Sequence, residues 1–412
     1  MTTRNIFARF GLRWLISFAV FLVPPLSEAA PRIPPVPESA RSAEQRSIAA
    51  QFADLGMSNA IATYLHHPAL TQSLMPYERY VSSASTLPAR ERALLLLRTA
   101  WLTRSGYLWA HGVSPARQAG LTNEQLTRIA HGPDAAGWTA FEAAILRAAD
   151  ELHVDSFISD ATWSALLARY DTNQMIDLVY SVGELTMHAG AINSLGVEIE
   201  KDVPDRLPSA VPYTVAAKWT NQRLLSQEPR IPPLEPAEWS PELRERLDPE
   251  GTGRRVANVF RTFVRNPPAD ALRGAVSRHI RDASTLSPRH RELLLMRIGV
   301  LCRSEYEFAA HSRVGRNVGI TATDAARIVA GPDHPGSDPL ETALLRATDE
   351  LYRDDVVSAE TWAALAEKLD TRQLLDVLIA VGGYRSASMA INSAGVQLDP
   401  NMEDFRFPPH LR

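Results

Sequence analysis

Glu307 and His311 stand four residues apart in a stretch that reads as helix, so both side chains leave one helix face. A carboxylate beside an imidazole is a workable proton shuttle. The carboxylate orients the ring and raises its pKa, and the ring then gives or takes a proton near neutral pH. Glu292 lies upstream, at the start of an apolar helix that Arg303-Ser304 interrupts before the Glu307 helix begins. Ser304-x-x-Glu307 also fits a capping box, in which the glutamate folds back onto the amide that starts its own helix. On that second reading Glu307 does no chemistry. Arginines bind carboxylates bidentately, which makes Arg297 and Arg303 candidate substrate anchors. Tyr306 sits between Arg303 and Glu307 as an aromatic core anchor and a candidate substrate contact.

A repeat decides how these residues are weighed. From about residue 59 onward, position n matches position n + 199 without a gap: Pro68 and Pro267, Arg104 and Arg303, Tyr107 and Tyr306, Gly120 and Gly319, Trp163 and Trp362, Asn193 and Asn392. Ala-Ser-Thr-Leu at 84–87 returns at 283–286, and Gly-Pro-Asp at 132–134 returns at 331–333. The first copy lacks the polar set. Glu292 corresponds to Ala93, Glu307 to Leu108 and His311 to Gly112. His111 is one position early, about 100° round the helix, and does not stand in. Any activity is therefore expected in the second copy. Arg98/Arg297 and Arg104/Arg303 occur in both, which favours a structural task such as pairing with Glu142 or Glu341. His188, opposite Ala387, carries little weight on the same comparison.

The elements that must position the set all read as helices. Residues 93–102 and 293–301 are apolar and too long for typical strands. Helices are expected over 142–152, 160–170 and 172–183, with a last one running to Asn193, and over their partners at + 199. Gly132 and Gly331 are suited to ending the helix before each Gly-Pro-Asp stop, and Asn193 and Asn392 to satisfying helix ends. The fold class is all-α. The expected division is a leader over 1–30, an N-terminal extension over 31–58, a first repeat over 59–203 with an eroded site, a Pro-rich connection over 204–257, and a second repeat over 258–412. The Pro-rich stretches at 31–37 and 204–241 read as surface-hugging linkers.

Arg4, Arg9 and Arg13, the apolar run 14–23 and Ser27-Glu28-Ala29 read as an export signal with a small-x-small cleavage site. The run is too short to span a bilayer, and no other segment is expected to reach spanning length. Cleavage would remove three positive charges and one negative, taking the formal net from −4 to −6. The expected location is periplasmic or secreted, with no membrane contact after cleavage. A mildly acidic chain without a basic run has no footprint for nucleic acid. Cys302 is the single cysteine, which excludes an internal disulfide, a Cys-x-x-Cys pair and a thiolate metal cluster. It reads as a buried inert thiol.

Arg303-Ser304-Glu305-Tyr306-Glu307-Phe308-Ala309-Ala310-His311, followed by Gly319-Ile320, resembles the signature of the carboxymuconolactone decarboxylase family, which includes the alkylhydroperoxidase D proteins. Arg104–His111 with Gly120-Leu121 is a weaker version, and the resemblance covers roughly 59–197 and 258–396. It implies a compact helical unit that pairs with a second unit and often assembles into rings; two fused copies would supply the pair as a pseudo-twofold intrachain dimer. In the peroxidase branch two cysteines lie on the signature helix, and Ser304 and Glu307 stand in their places, so thiol peroxidase chemistry is not available. Glu292 and His311 match that branch's glutamate and histidine. The resemblance then implies a decarboxylase-type enzyme for a small oxygenated acid or lactone, without cofactor or metal. In it, His311 and Glu307 transfer protons, Glu292 orients or relays, and Arg297 or Arg303 anchors a carboxylate. The alternative is a non-catalytic binding or assembly protein. An enzyme should close a pocket over Glu307 and His311; a scaffold should leave both in solvent, with Glu307 folded back onto its helix start.

Overall fold

In a computed structural model the described residues are 30–213, 228–253, 255–334, 338–408 and 411. The leader expected over 1–30 lies, but for Ala30, outside them, as does part of the connection between the repeats. Pro31–Arg412 forms one compact unit. It is all helical among the described residues, apart from turns and extended connections.

After α1 (Ala43–Gln51), the first copy comprises α2 (Ser58–Tyr64), α3 (Pro68–Arg79), α4 (Ala89–Leu102), α5 (Gly106–Gln118), α6 (Asn123–His131), α7 (Ala140–Asp155), α8 (Asp160–Leu167) and α9 (Thr172–Leu195). A short α10 (Pro241–Leu247) precedes the second copy. That copy repeats the order as α11 (Asn258–Phe263), α12 (Pro267–Arg278), α13 (Pro288–Leu301), α14 (Glu305–Asn317), α15 (Ala322–Ala330), α16 (Pro339–Asp354), α17 (Ala359–Ala366) and α18 (Thr371–Ala394). From α3/α12 onward, both ends of every helix keep the 199-residue offset. The local signals recur too. Asp171/Gln174 and Asp370/Gln373 are capping boxes, and Gly196 and Gly395 close the long helices in left-handed conformation.

The last helix of each copy is longer than the sequence suggests. Residues 172–183 and the segment to Asn193 form one 24-residue helix, as do their partners in α18. Gly183 and Gly382 mark a close crossing of α9 and α18. A Cβ on Gly183 would come within 2.1 Å of the Ser386 Oγ, and one on Gly382 within 2.6 Å of Met187. Small residues let the two backbones approach, and this crossing is the axis of the pseudo-twofold pair. Thr371–Ala394 is also long and apolar enough, by composition, to cross a membrane, contrary to expectation. It is the buried centre of the fold instead, with Leu375, Ile379, Ala380 and Met389 fully enclosed.

Part of each Pro-rich stretch recurs as a strap packed into the fold. Pro-Arg-Ile-Pro-Pro occurs at 31–35 and again at 229–233, and Ile33 and Ile231 are both buried. The Arg32 guanidinium donates to the carbonyls of Ser194 and Val357 and stacks on Trp362; the Arg230 guanidinium donates to those of Ser393 and Ile158 and stacks on Trp163. Each strap thus ties its own copy to the other. Asn193 and Asn392 satisfy helix ends as expected, and each reaches both copies. Asn193 donates to the Thr103 and Asp355 carbonyls, and Asn392 to those of Cys302 and Ser156. Cys302 is buried and forms no disulfide.

Candidate functional site

Helix α13 ends at Leu301 with Cys302 as its C-cap, and the chain turns through Arg303 in left-handed conformation (φ 51°) before α14 begins. That turn lays the first turns of α14 back along α13. Gly299 makes the contact close, since a Cβ there would meet the Phe308 amide at 3.1 Å. The result brings Glu292, near the start of α13, against His311 on α14. His311 Nδ1 lies 2.7 Å from Glu292 Oε2, and His311 Nε2 lies 3.3 Å from Glu307 Oε2. One imidazole therefore sits between two carboxylates. The side chains are 14% exposed for His311, 3% for Glu292 and 8% for Glu307.

Burial alone would lower the His311 pKa. The Glu292 and Glu307 hydrogen bonds and charges outweigh it and raise the ring to about 9. Burial works against the Glu292 carboxylate as well, but His311 and Arg291 hold it below its ordinary range. Arg291 Nε donates to Glu292 Oε1 at 3.1 Å. The set is an imidazolium at neutral pH, with both ring nitrogens facing carboxylates.

The capping-box reading of Ser304 and Glu307 does not hold. Ser304 makes no side-chain cap bond and its Oγ is buried without a hydrogen-bond partner. In the first copy the equivalent Ser105, with nearly the same ψ (94° against 92°), does accept from the Leu108 amide at 3.5 Å. Glu307 turns to His311 instead.

Two residues that sequence reasoning missed complete the surroundings. The Tyr384 ring, from α18, meets the His311 ring edge-on at 4.7 Å between centroids. Burial, with Glu307 and Glu292 nearby, raises its phenol pKa, so the hydroxyl stays protonated. Arg273, from α12, donates from Nε to the Tyr180 hydroxyl at 3.0 Å. Burial opposes its charge, while Tyr180, Asp270, Tyr77 and Glu307 favour it and keep the guanidinium charged. The repeat held the signal for both: Arg273 stands opposite Leu74, and Tyr384 opposite Leu185.

The expected substrate contacts are otherwise engaged. Arg297 donates to both Asp349 oxygens, at 2.6 and 2.7 Å, and to the carbonyls of Ile328 and Val329. Arg98 does the same with Asp150, Ile129 and Ala130. These arginines clamp the end of α15 or α6, and a Cβ on Gly331 or Gly132 would collide with them. The partners are Asp349 and Asp150, not Glu341 and Glu142, which pair with Arg289 and Arg90. Arg303 and Arg104 share the left-handed turn, so their position serves the α13–α14 and α4–α5 connections. Tyr306 donates its hydroxyl to Asp399 at 2.7 Å, as Tyr107 does to Glu200 at 2.8 Å. None of the three is brought to His311 by these contacts.

Two surface clefts, one lined by Arg289, Leu293 and Asp324 among others and one by Asp171, Leu234 and Val264, include none of Glu292, Glu307 and His311. His311 is the most exposed side chain of the three. In the first copy His111 contacts Glu200 instead, with Nε2 2.6 Å from Oε2. A His67–His279–Asp376 group at the copy interface has a counterpart in Asn266, Tyr80 and Asp177. The aspartate in each also accepts from a threonine amide and hydroxyl, of Thr285 or Thr86, which marks a hydrogen-bonded joint.

No curated protein and no solved structure matches the chain. The model of the carboxymuconolactone decarboxylase family matches it twice, at residues 68–151 and 267–350. Those spans run from the start of α3 into α7, and from the start of α12 into α16. The two matches keep the same 199-residue offset as the helices, and the chain carries two tandem units of the carboxymuconolactone decarboxylase family.

Proposed function

We propose that the second copy is a cofactor-free proton-transfer enzyme acting on a small oxygenated organic acid or lactone, by decarboxylation or a related lyase or isomerase step. The observation that carries this reading is the His311 ring held between Glu292 and Glu307, with its pKa raised to about 9. A buried imidazolium is a general acid at neutral pH. In a decarboxylation, the electron pair of the bond to the departing CO2 passes into the conjugated carbonyl. The resulting enolate is then protonated on carbon. His311 supplies that proton, Glu292 orients the ring, and Glu307 returns a proton to it from solvent. Arg273 is the cation assigned to a substrate carboxylate or the developing oxyanion: it is held by the Tyr180 hydroxyl, and Glu307 is among the groups that favour its charge. Arg297, engaged on four acceptors, is not assigned that role.

The leader-like first residues support an exported setting, so the substrate is sought among acids and lactones outside the cytoplasm. The test is thermal stabilisation by a panel of unsaturated lactone acids and hydroxy acids, followed by turnover assays on those that bind. Ligand at a hundredfold its dissociation constant should stabilise by about 2.7 kcal/mol. Turnover that survives both His311→Gln and Glu307→Gln would overturn the site assignment, and binding without any turnover would favour the non-catalytic reading.

A further inference from the structure

The first copy has an acid and imidazole cluster of its own, at different positions. Glu78 lies at the end of α3, and Glu184 and His188 lie four apart in the middle of α9. The second copy places Ser277, Gly383 and Ala387 at the matching positions, so nothing in the shared fold requires the cluster. All three side chains are enclosed: Glu78 is 4% exposed, and Glu184 and His188 are 0%. His188 Nε2 lies 3.2 Å from Glu184 Oε1 and 3.8 Å from Glu78 Oε2. One ligand atom from each residue falls within 4.8 Å of the others.

The decisive feature is what these atoms lack. Glu78 Oε2, both Glu184 oxygens and His188 Nε2 are buried and accept or donate no hydrogen bond. Native interiors rarely leave one such atom, and four converging orphans point to a missing positive partner. The opposite ring nitrogen, His188 Nδ1, is joined to the Tyr64 hydroxyl at 3.1 Å. That bond fixes the ring with Nε2 facing the carboxylates, as an outer partner does for a metal-bound histidine.

We infer that Glu78, Glu184 and His188 are ligands for one divalent transition-metal ion buried in the first copy. Ligand atoms at about 2.1 Å from a tetrahedral ion are about 3.4 Å apart, so small side-chain movements would close the set. Two carboxylates, a neutral imidazole and a dication sum to zero charge, which removes the cost of enclosing two carboxylates. One imidazole and two carboxylate oxygens suit zinc, iron or manganese rather than calcium or copper(I). Without an ion, burial drives both glutamates toward the protonated form, raising Glu184 well above its ordinary value, and lowers His188. Protons and a metal ion therefore compete for the same atoms. The inference does not depend on the reaction assigned to the second copy.

The test uses the full chain, unfolded in chelator and refolded with no metal, Zn2+, Mn2+ or Fe2+, then freed of loose metal by gel filtration. Elemental analysis should find about one ion per chain, and the thermal midpoint should rise with the bound ion. Refolding with Co2+ should give visible ligand-field bands that report imidazole and carboxylate ligation. His188→Ala and Glu184→Gln should each lower affinity by at least about tenfold. His311→Gln, in the other copy, should bind as wild type does. Circular dichroism checks that the variants fold, and the wild-type stoichiometry and midpoint stand without them. Wild-type protein that retains under about a tenth of an equivalent of every ion, with an unmoved midpoint, would overturn the inference and leave a proton-sharing carboxyl pair. Metal retained equally by His188→Ala and Glu184→Gln would overturn it as well.

Discussion

The two copies share a backbone and differ in where they bury charge. In the second, Glu292, Glu307, His311, Arg273 and Tyr384 replace Ala93, Leu108, Gly112, Leu74 and Leu185. In the first, Glu78, Glu184 and His188 stand where the second has Ser277, Gly383 and Ala387. Residues kept in both, such as Arg98/Arg297 and Tyr107/Tyr306, make the same contacts in both. The lesson is that shared polar residues build this fold, and unshared ones mark its candidate chemistry. The second copy holds an imidazole hydrogen-bonded to an acid; the first holds two enclosed acids and an imidazole whose facing atoms make no hydrogen bond.

The sharpest break of that comparison is chemical. On a substrate identified by the ligand panel, His311→Gln and Glu307→Gln should each lower kcat by about 10²–10⁴, assayed where circular dichroism shows both variants folded. His111→Ala, on the first copy's equivalent helix, should leave turnover unchanged although it strips Glu200 of a 2.6 Å contact. Comparable losses from His111→Ala and His311→Gln would erase the distinction between the copies.

Arg273→Leu, which installs the first copy's residue, should be the next largest effect. Loss of a charged hydrogen bond costs about 1.5–3 kcal/mol, so KM for a carboxylate substrate should rise by roughly 10- to 100-fold. A change in kcat alone would move Arg273 from substrate anchoring to transition-state stabilisation.

A packing comparison follows. Gly183→Ala places a methyl group against Ser386 at the crossing of α9 and α18, and should destabilise the chain by about 1–3 kcal/mol in denaturant titration. Gly120→Ala has open space around its Cβ, and strain from the positive φ of 86° is the only expected cost. Equal losses at the two glycines would mean that the crossing is looser than the structure shows.

The last comparison is of stability against pH. His311 has a folded pKa raised to about 9. The folded chain therefore holds a proton there that the unfolded chain, at about 6.5, releases first. The stabilisation from this ring is complete below about pH 6.5 and is lost as pH rises through about 9. His311→Gln should flatten that part of the stability curve, measured as thermal midpoint from pH 6 to 10.

Much of the architecture was legible because a repeat shows its own elements twice. Helix identity, the Gly132 and Gly331 stops and the Asn193 and Asn392 caps all follow from local signals that recur at one offset. The break expected at Gly183 was misplaced because a glycine at a helix crossing and a glycine at a helix end look alike in sequence. The straps were missed as repeats because Arg32 and Arg230 are 198 apart rather than 199. Glu307 and His311 were visible as an i, i+4 pair, and Glu292 by resemblance. Arg273 and Tyr384 come from distant helices, so spacing could not join them to His311. His188 was set aside because its counterpart is alanine, yet that same contrast singles out Glu292.

The claim that the second copy carries a proton-donating imidazolium is tested most directly without any substrate. Nitrogen-15 NMR of histidine-labelled protein, with the His311 signals assigned by their loss in His311→Gln, follows the ring through pH. The account predicts a midpoint near 9, falling toward 6.5 or below in Glu292→Gln. A wild-type His311 that titrates at or below 6.5 would contradict it.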